Sequence, residues 1–266
     1  MTIEFKEVLP MSYTMDDLLS IMKRLRADDG CAWDKVQTHQ SIKRSMIEEA
    51  YEAIEALDNN DDKMFANELG DVLLQVVFHA RIAEERGAFD FNDVVNEICT
   101  KLIERHTHVF GNEKAGNETE ALDAWEKNKK KEKGLKSYSD ALIDVPKNFP
   151  ALIRAEKVQK KAKNAGFDWD SIDGAIDKVY EELDEIKAEM KNSNQEKINE
   201  EFGDLLFSVV NMGRFLKVDP EISLTDATNK FIDRFVKMEK LATSKGLKLD
   251  EMSLEDLDKL WDEIKK

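Results

Sequence analysis

Two acidic patterns recur in this sequence, and their spacing suits them to hold a cation. Glu49 and Glu52 are followed by Glu68 and Asp71, and Glu182 and Glu185 are followed by Glu201 and Asp204. Residues three apart on an α-helix share one side of it, about one turn along. Each Glu-x-x-Glu and each Glu-x-x-Asp therefore aims two carboxylates in roughly one direction. Between the members of each set stand the turn-rich stretches Asp58-Asn59-Asn60-Asp61-Asp62 and Lys191-Asn192-Ser193-Asn194-Gln195. The flanking helices are predicted to fold back as antiparallel hairpins centred near Asn60 and Ser193. Reflection about those centres sets Glu49 level with Asp71, Glu52 with Glu68, Glu182 with Asp204 and Glu185 with Glu201. All four acids of each set are expected to meet.

Four carboxylates between helices packed about 8–10 Å apart repel one another, at about 4 kcal/mol for each 4 Å pair at an intermediate dielectric. A cation is required to neutralise them. All-oxygen ligation suits Mg²⁺ or Mn²⁺, hard ions that keep several waters and bind through carboxylates together with substrate phosphates. Zinc fits less well, because neither Cys nor His belongs to the pattern. A di-iron centre calls for Glu-x-x-His, and none of His39, His79, His106 or His108 has an acid three residues before it. The competing reading is that the acids form solvated helix faces, which the repetition of the same four-acid spacing argues against.

A site for metal and phosphate also needs cations to hold the oxygens that the metal does not reach. Lys101 and Arg105 stand one turn apart after the first acidic set, and Lys230 and Arg234 repeat that spacing after the second. Ion pairing with neighbours such as Glu104 or Asp233 is the alternative role. Lys178, Lys197 and Glu200 have Ser45, Met64 and Asn67 as counterparts, so the second set has two extra cations and is the expected seat of catalysis. Trp125 and Trp261 each precede a lysine by four residues; either stacks on a nucleobase or anchors a terminal helix to its bundle. His106 and His108 offer only two nitrogens at uneven spacing and receive no role.

The elements that must position these groups are helices. The 266 residues include 4 Pro and 11 Gly, which leaves long uninterrupted segments. Between Ser41 and Leu57, apolar residues recur at three- and four-residue steps, as they do over 65–86, 176–190 and 198–216. No segment sustains period-two alternation, so an all-α fold is expected. Sliding the chain against itself by 133 residues superposes Met46–Glu52 on Val179–Glu185 and Glu68–Asp71 on Glu201–Asp204. Two tandem copies of one four-helix-bundle-like unit follow: a domain over 1–130, a linker over 131–150 marked by the lysine run Lys127–Lys133 with Pro146 and Pro150, and a domain over 151–266. The lysine run is expected to be a solvated connector.

Composition narrows the partners. With 40 Lys+Arg against 56 Asp+Glu the formal net charge is −16, which disfavours nucleic acid and favours cations or cation-carrying ligands. Cys31 and Cys99 make no disulfide framework, which suits a reducing compartment. Met1–Met11 lacks the pattern of a secretory leader, and no apolar run approaches the length of a membrane span. The expectation is a cytoplasmic protein with no membrane partner.

Glu48-Glu49-Ala50-Tyr51-Glu52 with Glu68-Leu69-Gly70-Asp71, and Glu181-Glu182-Leu183-Asp184-Glu185 with Glu201-Phe202-Gly203-Asp204, resemble the EExxE and ExxD signature of the MazG family. Cys31-Ala32-Trp33-Asp34, Gln37-Thr38-His39, Arg105–Phe110, Gly166–Trp169 and Lys178–Glu182 add to the likeness, which runs from about Met15 to Ile264. Ala32 departs from the proline usual there. The resemblance implies an all-α, Mg²⁺-dependent nucleoside triphosphate pyrophosphohydrolase, yielding a nucleoside monophosphate and pyrophosphate, in an interlocked homodimer. It implies that Glu182, Glu185, Glu201 and Asp204 are metal ligands. Lys178, Lys197, Lys230 and Arg234, with Glu181 and Glu200 beside them, would meet the triphosphate and Trp261 the nucleotide. Water is expected to attack the α-phosphorus in line, with Glu182 or Glu185 taking its proton while the metal ion screens the leaving group. Rival readings are a base-selective dUTP or dCTP pyrophosphatase and a non-enzymatic acidic helical scaffold.

Overall fold

A computed structural model of the chain describes residues 12–265; the leader expectation for Met1–Met11 lies outside them. Thirteen α-helices and one 3-10 turn, with no strand, make up the regular structure of the described residues. They form two compact units that divide between Lys129 and Lys130. The all-α expectation holds. No described helix is long and apolar enough to cross a membrane.

The first unit contains α1 (Met15–Leu25), α2 (Ala32–Val36), α3 (Lys43–Asp58), α4 (Asp62–Glu85), α5 (Phe91–Arg105), α6 (Thr107–Phe110) and α7 (Glu118–Glu132), the last crossing the division. Helices α1, α4 and α5 start where a side-chain oxygen accepts from a free backbone N–H group. Thr14 with Asp17 and Asp90 with Asp93 form reciprocal caps at α1 and α5. The turn between α3 and α4 is closed by Asn60 at φ 54°, a left-handed conformation that Asn tolerates better than most residues. Met22, Ile42, Val77, Phe78 and Ile82 form the buried core, with Leu18, Leu19, Leu73, Leu74 and Phe91 packed around it.

Arg26 is the charged member of that interior. Its guanidinium bonds the Glu85 carboxylate, at 2.7 Å from Nη2 to Oε2, and also donates to the Asp34 and Gln37 carbonyls. The chain around α2 is thereby tied to the end of α4. A buried guanidinium needs this full set of acceptors to offset its desolvation.

The second unit contains α8 (Tyr138–Ile143), α9 (Ala151–Lys163), α10 (Ile172–Asn192), α11 (Gln195–Leu216), α12 (Pro220–Ser244), a 3-10 turn (Leu249–Glu251) and α13 (Leu254–Ile264). The α10–α11 hairpin turns at Ser193, also at φ 54°, and Asn194 caps α11 through the Lys197 N–H. Asp219 and Pro220 start α12, proline tolerating the first turn because its missing N–H would be unpaired there. Both turns fall where the spacing of the acids sets them. Helix α9 packs on α11, α8 and α12, while α12 and α13 share a core of Met238, Ala242, Leu260 and Trp261.

The segment expected to be a linker is more structured than its composition suggests. The lysine run lies mostly within α7, and α8, capped by Ser137, packs on α9 through a stretch that buries Ala141 and Val145. Ala141 on α8 and Val145 just after it are the buried apolar side chains there, a signal too local for composition to register.

Candidate active site

Each hairpin brings carboxylates from two helices together. In the second unit Glu182 on α10 meets Glu201 and Asp204 on α11, each offering an oxygen within 4.8 Å of the others. In the first unit Glu49 on α3 meets Glu68 and Asp71 on α4 in the same way. Three of the four acids in each set converge. Glu52 and Glu185 have exposed side chains but lie close to their sets, Glu52 raising the Glu49 carboxyl and Glu185 sitting against Glu182 and near Glu201.

The two sets differ in what faces them. Glu182 is 3% exposed, and Lys178 Nζ lies 2.5 Å from its Oε1 and 3.0 Å from Glu181 Oε1. These bonds hold the lysine firmly protonated, its pKa raised above the ordinary value first by Glu182 and then by Glu181. Glu182 Oε2 is buried without a hydrogen-bond partner. A buried carboxylate oxygen left unpaired is costly, and a divalent cation between Glu182, Glu201 and Asp204 would satisfy it. The donor set, all carboxylate, fits Mg²⁺ or Mn²⁺.

In the first unit the partners are neutral amides. Asn67 Nδ2 donates to Glu68 Oε1 at 3.2 Å and to Asp71 Oδ2 at 3.4 Å, and Gln75 Nε2 reaches Glu49 Oε1 at 3.5 Å. With no lysine there, burial and then Asp71, Glu52 and Glu68 push the Glu49 carboxyl above its usual range. Burial and then Glu182 and Glu201 raise that of Glu185. Neither Asn67 nor Gln75 is marked by the acidic spacing; Gln75 stands out only as a polar residue within the apolar run of α4.

The cations take varied positions. Lys197 Nζ pairs with Glu200 Oε2 at 2.7 Å on the first turn of α11. Lys230 and Arg234 lie one turn apart on α12, the first exposed and the second half-buried. Lys101 pairs with Glu97 at 3.3 Å on α5. Arg105 Cζ lies 5.3 Å from the centre of the Trp125 ring, and Lys129 Nζ 4.5 Å from it, so this indole packs against cations. Trp261 lies 5.1 Å from the Phe231 ring within the α12–α13 core. It is half-buried, so packing on this core leaves part of the indole open.

Sequence spacing gave no sign of Gln159, Asp168 or Arg214. Arg214 on α11 is buried against Asp168, with 3.0 Å from Nη1 to Oδ2 and a second, shorter contact, and it also donates to Asn211 Oδ1. Gln159 on α9 donates to the Phe207 carbonyl at 2.7 Å. The only cue was the Gly166-Phe167-Asp168-Trp169 stretch.

The chain is thus an all-α protein with a cluster of three carboxylates in the helical hairpin of each unit. The MazG nucleotide pyrophosphohydrolase domain matches this chain over residues 37–110 and 171–240, segments that contain both carboxylate sets. A Thermotoga maritima protein named nucleoside triphosphate pyrophosphohydrolase/pyrophosphatase MazG is 49% identical over 94% of this chain and 95% of its own length. An Escherichia coli nucleoside triphosphate pyrophosphohydrolase is 44% identical over 95% of this chain and 97% of its own. The Bacillus subtilis protein YabN is 46% identical over 98% of this chain but 53% of its own length. The chain belongs to the MazG nucleotide pyrophosphohydrolase family and is an enzyme of that class.

Proposed function

We propose that this enzyme hydrolyses nucleoside triphosphates to nucleoside monophosphates and diphosphate with Mg²⁺, for which Mn²⁺ can substitute, and that the 151–266 copy is the main catalytic one. The observation that carries this reading is the buried, unpartnered Glu182 Oε2 facing two further carboxylates beside a protonated lysine. Glu182, Glu201 and Asp204 would hold the ion, which when bound neutralises charge on the α-phosphate and on the diphosphate leaving group. Lys178, which bonds Glu182 Oε1 and leaves Oε2 for the ion, would stand beside it to meet a phosphate oxygen. Lys197, Lys230 and Arg234 extend the cationic lining, with Glu181 and Glu200 orienting the two lysines they bond.

Glu185 is the better proton acceptor of the two candidates, because its side chain is open to water whereas Glu182 is buried and bonded to Lys178. The first copy offers Glu49, Glu68 and Asp71 as a second metal site, with Glu52, Lys101 and Arg105 nearby in sequence. Its amide partners in place of a lysine make it the weaker candidate for turnover. Trp261, if it meets the nucleotide, does so with the face not packed on Phe231. A homodimer is supported by α12, which exposes Phe231, Ile232, Phe235 and Val236 in succession. A reducing cytoplasm suits the unbridged Cys31 and Cys99.

The test is diphosphate release from a panel of triphosphates with Mg²⁺ and with chelator. Activity across bases is expected, lost on chelation and lost in Glu201→Gln with helicity retained. Selective turnover of dUTP or dCTP would support the narrower hydrolase, and no release from any triphosphate would support the acidic scaffold.

A further inference from the structure

His39 and His79 meet in the first unit across 40 residues of chain, and no step of the proposed hydrolysis uses them. Their Nδ1 atoms are 2.8 Å apart, the ring centres 5.1 Å apart and the ring planes 10° from parallel. The centre distance is little more than the N···N distance plus a ring radius at each end, so both nitrogens lie close to the line of centres. The rings therefore meet edge to edge in one plane, with a single hydrogen bond between like atoms. We propose that this pair is a proton-operated latch, which ties the segment before α3 to α4 and opens when both rings are protonated.

The behaviour follows from the symmetry of the contact. An imidazole nitrogen donates when it carries a proton and accepts when it does not. Two Nδ1 atoms at this distance leave room for one proton between them. A neutral pair supplies that proton from one ring, and a pair with one added proton keeps it as a charge-assisted bond. A second added proton puts an N–H on both facing atoms, and two imidazolium ions are driven apart. Burial and then the charge of His39 lower the His79 pKa below its ordinary value, as that repulsion requires.

The latch holds a helix start that lacks a cap. Helix α3 begins after Ile42 with no side-chain bond to its free N–H groups. Ahead of it, Arg26 donates to the Gln37 carbonyl, and Thr38 and Ser41 bond each other's backbone N–H. Ile42 is then buried in the core. His39 fastens the chain to α4 between those two anchors. His79 stands eight residues, about 12 Å, beyond Asp71 on α4, so the pair steadies the hairpin of Glu49, Glu68 and Asp71 from outside the carboxylate set. The other charged groups around α4 stand elsewhere. Glu49 of α3 is bonded by Gln75, Arg26 at the end of α1 by Glu85, and Arg81 of α4 itself by Glu84 and Glu85. Lys23 of α1 and Asp90 before α5 lie along the side of α4 that presents Val77, Ala80 and Arg81. The charge acting on His79 is that of His39. At the 133-residue shift the pair becomes Ile172 and Met212, so the second copy has no such latch.

Linkage sets the sign. A group whose pKa is lowered by folding takes up its proton more readily in the unfolded chain, so the stability it gives is present above the unfolded pKa and lost as pH falls through the folded one. The experiment uses the full chain and does not depend on hydrolysis. At pH 7.5 nuclear magnetic resonance should show a scalar coupling between the two Nδ1 nuclei across the hydrogen bond, lost as pH falls below the histidine range. The His79 ring should take up its proton at lower pH in wild type than in His39→Ala. Between pH 7.5 and pH 5.5 the first unit should lose about 3–6 °C more in melting temperature in wild type than in His39→Asn, whose amide can donate to His79 or accept from it without taking a charge. His106 and His108 are common to both proteins and cancel in that comparison. His39→Ala should melt below wild type at pH 7.5 and approach it at pH 5.5. No coupling at pH 7.5, or equal losses in wild type and His39→Asn, would overturn the proposal. Should a variant fail to fold, the wild-type coupling decides alone: its presence and loss with acid support the latch, and its absence sinks it.

Discussion

Glu182 and Glu49 hold equivalent places in the two copies and face opposite electrostatic conditions. Lys178 compensates the first, whereas the Gln75 amide faces the second, the copies differing at Ser45 against Lys178 and at Gln75 against Ser208. That asymmetry was legible in the sequence, because lysine beside acid needs only a four-residue helical step. The Arg26–Glu85 pair was not, since 59 residues separate its members. It makes a stability prediction with a defined pH window. The Arg26 guanidinium bonded to Glu85, opposed by burial and aided by Arg81, holds its carboxyl below the usual carboxylate range. A depressed carboxyl pKa contributes stability that is present above the unfolded pKa and lost as pH falls through the folded one. Glu85→Gln should therefore cost about 1–3 kcal/mol at pH 7, with the gap between wild type and variant narrowing in thermal melts as pH falls below the ordinary carboxylate range. A constant gap from pH 7 to pH 3 would refute the charge as its origin.

At the scale of the element, the hairpins are the devices that set the acids level, and each is closed by a non-glycine residue in left-handed conformation. Ser193 bears the larger penalty, since Asn60 belongs to a type that adopts this region more readily. Ser193→Gly should raise stability by about 0.5 kcal/mol, the strain relieved less the entropy glycine loses on folding, and Ser193→Val should lower it. Diphosphate release at 25 °C should stay unchanged in Ser193→Gly, because the turn lies outside the carboxylate set. A glycine variant that melts below wild type would count against strain at this turn. Both hairpin centres were readable from turn-residue clusters and acid spacing. The α8 helix was missed because a single capped turn and a half leaves no periodicity to detect.

For the whole molecule, the apolar surface left on α12 sets the expectation. Ile232 is 52% exposed and Val236 41%, beside Phe231 and Phe235, on a helix whose other contacts are with α9 and α13. Contiguous exposed side chains of this size mark an association surface in a water-facing protein. Sedimentation of wild type should give a dimer mass, and Ile232→Glu with Val236→Glu should give a monomer that keeps its helical signal. A wild-type monomer at micromolar concentration would remove this surface from consideration. The net charge of −16 opposes self-association at low salt, so dimerisation should strengthen as salt screens it.

The amino-acid order by itself determined the helices, the tandem repeat, both turn centres and the acids that meet there, because period, cap and turn chemistry act over a few residues. Only the tertiary structure decided which acids come within reach of one ion, that Trp261 packs on Phe231, and that Arg26 reaches across 59 residues to Glu85. Those outcomes depend on how far each side chain is rotated from a seam and on what distant helices bring to face it. Spacing along the chain carries neither quantity.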